Sequence, residues 1–268
     1  MENHEPAIHS AFYCFVRIGD VDALVTRLRG LTVDLKGSIL VADEGINGMV
    51  AGHQDAVANF ETQLVKWDLF KGITFKHTDC KTPPFHRMKV HKKPEIVPLG
   101  ISGVDVTCGT GINVAPEQWR QLIQREDVVV LDNRNSFEFR LGHFRRAIDP
   151  GVANFRDFPN YVKAHLAEWK ANQKSVAMYC TGGIRCEKTS AWMRDFDIPV
   201  YQLEGGILNY FLKMPDADLD WDGECFVFDN RIALDTQLQE TQTTLEDVYQ
   251  AEPDGEWRLR RAHQLHKA

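Results

Sequence analysis

Residues 175–193, SVAMYCTGGIRCEKTSAWM, run from an apolar segment through a glycine-bearing loop into a stretch with helical spacing. SVAMYC is apolar throughout, as strands buried on both faces of a parallel sheet are. A strand, a short loop and a helix in that order form the turn of a βα unit, and sheets of this class place their sites at the carboxyl ends of strands. Cys180 stands at such an end. Outward from it the same alternation continues. PEQWRQLIQR (116–125) is a helix with Pro in its first turn, VVVLD (128–132) an apolar strand, and FPNYVKAHLAEWKAN (158–172) a helix. CEKTSAWMRDF (186–196), PVYQL (199–203) and GILNYFLKM (206–214) supply helix, strand and helix. The expectation is a doubly wound parallel-sheet domain over 116–220.

The loop CTGGIR contains no proline, so Thr181, Gly182, Gly183, Ile184, Arg185 and Cys186 all offer backbone N–H donors. Two adjacent glycines let such a loop curl with its amides inward, and the following helix adds a positive N-terminal end. A thiol at that focus loses its proton readily. Cys180 is therefore expected at the mouth of the sheet as a nucleophile in an anion cradle, with Arg185 binding an anion or lowering the thiol pKa. A small buried residue closing a strand is the plain alternative. Asp132 and Arg134, just beyond VVVLD, either flank the loop or pair with each other. Cys186 either resolves an oxidised Cys180 or packs inward on its helix. His143 reads as closing a turn, and Cys14, Cys80, Cys108 and Cys225 as packing residues.

The first ninety or so residues have a different order. AFYCFVRI (11–18), SILVA (38–42), NGMVA (47–51) and ITFKHTD (73–79) read as strands; VDALVTRLRGL (21–31), capped by Asp20, and DAVANFETQLVKW (55–67) read as helices. DEGING reads as a turn, with Asn47 in it. The order βαββαβ is that of a ferredoxin-like split βαβ unit, giving an α+β domain over 1–95 ahead of the α/β one. MKVHKKPEIVPLG reads as an extended arm. Residues 96–115 read as a linker, and 221–268 as an appended hairpin, WDGECFVFDNRIAL, with a weakly patterned tail.

The formal charge of −7 conceals a basic stretch: residues 71–93 hold seven Lys or Arg against Asp79 alone, plus three His. Such a patch holds phosphates even on an acidic chain, with Arg87, Lys89, Lys92 and Lys93 as the RNA-binding candidates. Lysines guarding a sheet edge explain it equally well. Phe85 could stack on a base or fill core. The opening MENHEPAIHS is expected to be neither a secretory signal nor a membrane anchor. Six cysteines without a C-x-x-C pair argue for a reducing cytoplasm and against a disulfide framework or thiolate zinc. Two H-x-D triplets, His53–Asp55 and His77–Asp79, occur at the frequency chance provides, so no metal is expected. No G-x-G-x-x-G follows a strand, so no organic cofactor is either. No feature indicates an oligomeric state.

LDNRNSFEFRLGHFRRAIDP (131–150), YCTGGIR (179–185) and YQLEGGI (201–207) resemble the rhodanese domain. ADEGINGMVAG (42–52), FHRMKVHKKPEIVPLG (85–100), MYCTGGIRCEK (178–188) and WDGECFVFDNRIAL (221–234) together resemble the bacterial rhodanese-domain tRNA uridine hydroxylases, over about Ala11 to Leu234. The resemblance implies oxygen-dependent 5-hydroxylation of the wobble uridine, position 34, with tRNA as partner through its anticodon loop and molecular oxygen as co-substrate. It places the catalytic cysteine at Cys180 and makes the GING turn a candidate RNA contact. Longer members carry a cysteine-rich C-terminal segment; this chain has no cysteine after Cys225, so no metal function of that segment carries over. Two further readings stand beside it: a sulfurtransferase carrying persulfide on Cys180, and a non-catalytic RNA-binding adaptor.

Overall fold

The chain, seen here as a computed structural model that describes residues 7–267, divides into two units, each with its own core. Six residues of the opening stretch expected to be neither signal nor anchor lie outside the described residues.

The first unit comprises residues up to 96 together with 228–232 and 253–267. Its strands are β1 (Ala7–Phe15), β2 (Lys36–Ala42), β3 (Gly45–Gly52), β4 (Phe75–Cys80) and β5 (Met88–Lys92), with helices α1 (Val21–Leu31) and α2 (Gln54–Val65). The sheet order β4-β1-β3-β2-β5 contains the ferredoxin-like arrangement in its first four strands. The apolar positions of α1 (Val21, Leu24, Val25, Leu28) follow helical spacing and are buried, and the Asp20 carboxylate accepts the Ala23 N–H at 2.9 Å. Val57, Phe60 and Leu64 of α2 complete this core with Ile39, Val41, Ile46 and Val50 of the sheet. Each such side chain contributes about 1.5–3 kcal/mol on burial.

Two expectations are corrected here. The arm after residue 87 is a fifth strand, parallel to β2 in the register Ile39↔Val90. Of β5 only Val90 is buried, so its side chains carry no hydrophobic alternation; the free edge of β2 recruits it through backbone hydrogen bonds. DEGING is mostly strand: only Asp43 and Glu44 turn, because Gly45 at φ +146° restores pairing at once. Asn47 thus lies within β3, opposite Tyr13 and Leu40, and donates to the Ile96 carbonyl at 3.0 Å.

The second unit, 97–227 with 233–252, holds β6 (Ile112–Val114), α3 (Pro116–Leu122), β7 (Val128–Asp132), α4 (Ser136–Leu141), β8 (Gly142–Phe144), α5 (Phe158–Ala171) and β9 (Ser175–Tyr179). α6 (Ile184–Met193), β10 (Val200–Leu203) and α7 (Gly206–Lys213) follow. Four strands in the order β6-β10-β9-β7 run parallel. β9 lies inside the sheet and every residue of it is buried, which accounts for its unbroken apolar sequence. INV, at the end of the expected linker, is the edge strand β6. WDGECFVFDNRIAL is not one hairpin: β11 (Trp221–Gly223) pairs with β8, while β12 (Cys225–Phe226) pairs with β13 (Ala233–Leu234). Residues 228–232 between those last two strands belong to the first unit. The weakly patterned tail forms α8 (Leu245–Tyr249) and α9 (Gly255–Lys267). Among the described residues no helix is long and apolar enough to cross a membrane.

Candidate active site

β9 ends at Tyr179 and α6 begins at Ile184, so Cys180 to Gly183 form the connection. Gly183 takes φ +100°, a left-handed conformation that glycine adopts without steric cost, and it turns its N–H onto the Cys180 Sγ at 3.1 Å. The Cys186 N–H and its thiol also donate to that sulfur. Loop carbonyls point the other way. Cys180 O accepts from the Ile207 N–H at 3.0 Å and Thr181 O from Leu208 at 3.2 Å, so the first turn of α7 binds the back of the loop. Gly206 makes this approach close: a Cβ there would lie 2.5 Å from the Cys180 carbonyl oxygen.

The electrostatics follow from this geometry. Burial pushes the Cys180 thiol up, but it is outweighed by the Cys186 thiol, the Arg185 charge and the amides of Cys186 and Gly183. Together these bring its pKa down to about 6. Cys186 is pushed well above the ordinary thiol range by burial, then by its hydrogen bond to Cys180 and the charge there. The two sulfurs are thus unequal partners: one ionises, the other donates. Asn133 Nδ2 lies 3.9 Å from the Cys186 sulfur and 2.9 Å from Thr189 Oγ1, fixing the inner wall.

Arg185 is expected from sequence to bind an anion or to lower the thiol pKa. Here its guanidinium makes a two-point pair with Glu138, 2.9 and 3.0 Å, and the Glu138 side chain is completely buried. Glu138 also accepts the Asn135 N–H at 3.1 Å at the start of α4. Glu138 and Gly206 are not marked as site residues by their types alone. The spacing N-x-x-E in NSFE, a capping-box pattern, marks the first, and the glycine pair of YQLEGGI the second. Asp132 and Arg134 pair with each other, Nε to Oδ1 2.8 Å and Nη2 to Oδ2 2.6 Å, with both side chains fully buried. Arg134 Nη2 also reaches the Gly142 carbonyl at 2.6 Å. They therefore brace the end of β7 against β8.

Thr181, Gly182, Ile184 and Arg185 are half-buried, whereas Cys180 is 1% exposed. The sulfur faces its amide donors, but Cys180 is buried rather than open at the mouth of the sheet. His143 stacks on Phe139 at 3.9 Å and bonds the Phe139 carbonyl. Cys80, Cys186 and Cys225 are buried and Cys14 is half-buried, but Cys108, expected to pack, is exposed. The H-x-D histidines are occupied locally: His53 Nδ1 accepts the Asp55 N–H at the start of α2, and His77 meets Glu61 at 2.7 Å. Among the described residues no group of three or more His, Cys, Asp or Glu side chains is placed to hold a metal.

Comparison with known proteins agrees with this division of the chain. Residues 8–96 match the UPF0176 acylphosphatase like domain and residues 115–213 the Rhodanese-like domain. A tRNA uridine(34) hydroxylase of Legionella pneumophila (strain Paris) is 40% identical over 250 residues, covering 91% of this chain and 97% of that one. The chain belongs to the tRNA uridine(34) hydroxylase family. Another member, from Synechococcus elongatus, is 47% identical over 237 residues, 87% of each chain. A third, from Neorickettsia sennetsu, is 42% identical over 86% of this chain and 84% of its own. Within this family member the RNA-binding candidates lie on or beside β5. Lys92 is paired with Asp22 at 2.7 Å, while Arg87 and Lys89 border a groove with Arg29. Lys93 follows the strand, its N–H bonded to the Val41 carbonyl at 2.8 Å.

Proposed function

We propose that this chain hydroxylates uridine 34 of tRNA at C5, with molecular oxygen as co-substrate and Cys180 as the nucleophile. One observation carries the assignment of the residue: the Cys180 sulfur accepts the Gly183 N–H at 3.1 Å and its pKa is brought down to about 6, so at neutral pH it is a thiolate. A thiolate adds to C6 of uracil, forming the S–C6 bond and sending the C5=C6 π pair into the C5–C4–O4 enolate. C5 becomes electron-rich and reacts with oxygen. One oxygen atom stays on C5; the other leaves as water with two electrons and two protons from an external reductant. Loss of the C5 proton then expels Cys180 and restores the double bond. Arg185, held by Glu138, supports the charge on the sulfur throughout, and the anticodon loop of a tRNA in the cytoplasm is the partner the reading requires.

The test is nucleoside mass spectrometry of tRNA from a strain lacking the gene, incubated aerobically with purified protein and a dithiol as the two-electron reductant. Appearance of 5-hydroxyuridine with the wild type and none with Cys180→Ala supports the proposal. Hydroxylation by Cys180→Ala removes Cys180 from the chemistry. Thiosulfate–cyanide turnover without hydroxylation would replace the reading with sulfur transfer.

A further inference from the structure

In the first unit, the last turn of α1 and the edge strand β5 enclose a groove of about 400 Å³. Its cationic residues are Arg29, Arg87 and Lys89, with His91 beside them; Val33 and Met88 supply an apolar surface, and no carboxylate lines it. The residues come from segments about sixty apart in sequence, so this is a tertiary arrangement rather than a run of charge. Arg29 is held in place by donating from Nη2 to the Val90 carbonyl at 3.1 Å. Arg87, Lys89 and His91 alternate along extended chain and so share one face, roughly 6–7 Å apart, a spacing within reach of consecutive nucleic-acid phosphates. Lys92, of the opposite parity, pairs with Asp22 at 2.7 Å.

The cations are close enough to act on one another. Burial, then Lys93, Lys89, Arg29 and Arg87, hold His91 below the usual imidazole value. Lysines that merely guard a sheet edge would explain β5 alone; they leave unexplained an arginine from a helix and an exposed valine, Val33, 75% accessible, beside it. Cations beside an apolar surface suit a polymer that presents both phosphate and ribose or base.

We propose that this groove is a backbone-binding site for tRNA, seating consecutive phosphates on Arg29, Arg87 and Lys89 with a sugar or base against Val33. The inference rests on the tRNA reading above and adds a site to it.

The experiment compares the wild type with Arg29→Gln/Arg87→Gln and a control, Lys66→Gln, which removes an exposed charge elsewhere in the same unit. tRNA binding is measured from about 50 to 200 mM salt, where each lost phosphate contact lowers the log–log slope by roughly 0.7–0.9. Expected for the double variant are a slope lower by about one to two, at least tenfold weaker binding at low salt, and a raised KM with kcat within about twofold. Lys66→Gln keeps the wild-type slope. An unchanged slope in the double variant overturns the groove. So does loss of binding to phosphatidylserine vesicles with tRNA binding intact. If the wild type binds tRNA with a groove-dependent slope yet forms no 5-hydroxyuridine, the hydroxylase reading fails and the groove stands. If it hydroxylates with a groove-independent slope, only the groove fails.

Discussion

Arg185 and Glu138 form a two-point ion pair at 2.9 and 3.0 Å, and this pair, 47 residues apart in sequence, holds the guanidinium whose charge acts on the Cys180 sulfur. The Glu138 side chain is fully buried and that of Arg185 is 11% exposed. Removing one partner leaves a charge without compensation. Glu138→Ala should therefore destabilise the protein by about 3–5 kcal/mol, read as a lower urea midpoint. Glu138→Ala/Arg185→Ala should recover part of the loss, because no charge is then stranded. Strict additivity of the two single changes would show that the pair is not coupled.

Cys180 should react with iodoacetamide along a titration curve centred near pH 6, with Cys186 unlabelled throughout, because the first thiol is brought down to about 6 and the second pushed well up. The acid form dominates below the midpoint, so labelling rises as pH increases through it. Peptide mass spectrometry over a pH series reads both sites together. In Arg185→Gln the midpoint should move upward, since one of the charges favouring the thiolate is gone. A wild-type midpoint near that of an ordinary thiol would contradict the cradle.

Gly206→Ala should harm the site more than Gly205→Ala. Both glycines have φ near +70°, so the cost of a left-handed alanine is shared. At 206 the new methyl meets the Cys180 and Thr181 carbonyl oxygens at 2.5 and 2.7 Å; at 205 it meets Asn209, whose Cβ lies at 2.6 Å, and no atom of the cysteine loop. Both substitutions should cost about 1–3 kcal/mol by overpacking, but only that at 206 should displace the Cys180 midpoint. Equal effects of the two substitutions would mean that α7 does not hold the loop.

His9 should make stability depend on pH below neutrality. It is buried against Asp229, Arg231 and Phe85, and its pKa is lowered from 6.5 to about 4, by burial first and then by Arg231. Between those values the unfolded chain binds a proton that the folded one refuses, so stability falls as pH drops from 6.5 to 4. The loss is on the order of 3 kcal/mol when complete. Urea midpoints of wild type and His9→Gln across that window should converge toward acid, the variant having the flatter profile. Parallel profiles would show that His9 titrates normally.

What the amino-acid sequence determined alone is the order of most elements and the place of Cys180 at the end of β9. Apolar runs, helical spacing, Asp20 as a cap and the glycines after Cys180 all act within a few residues of themselves, so their consequences are written locally. They placed β9, the loop and α6, and the four strands of the ferredoxin-like sheet. What only the tertiary structure decided are the partners that come from far along the chain. Glu138 reaches Arg185, Gly206 lets α7 grip the loop carbonyls, Arg29 stands beside β5, and the whole site closes over the sulfur. Capture of β5 by the bare edge of β2 belongs with these, since backbone hydrogen bonding leaves no side-chain signature. Local propensity cannot report such contacts: each depends on two segments meeting, and that meeting is fixed by the packing of the sheet and its helices.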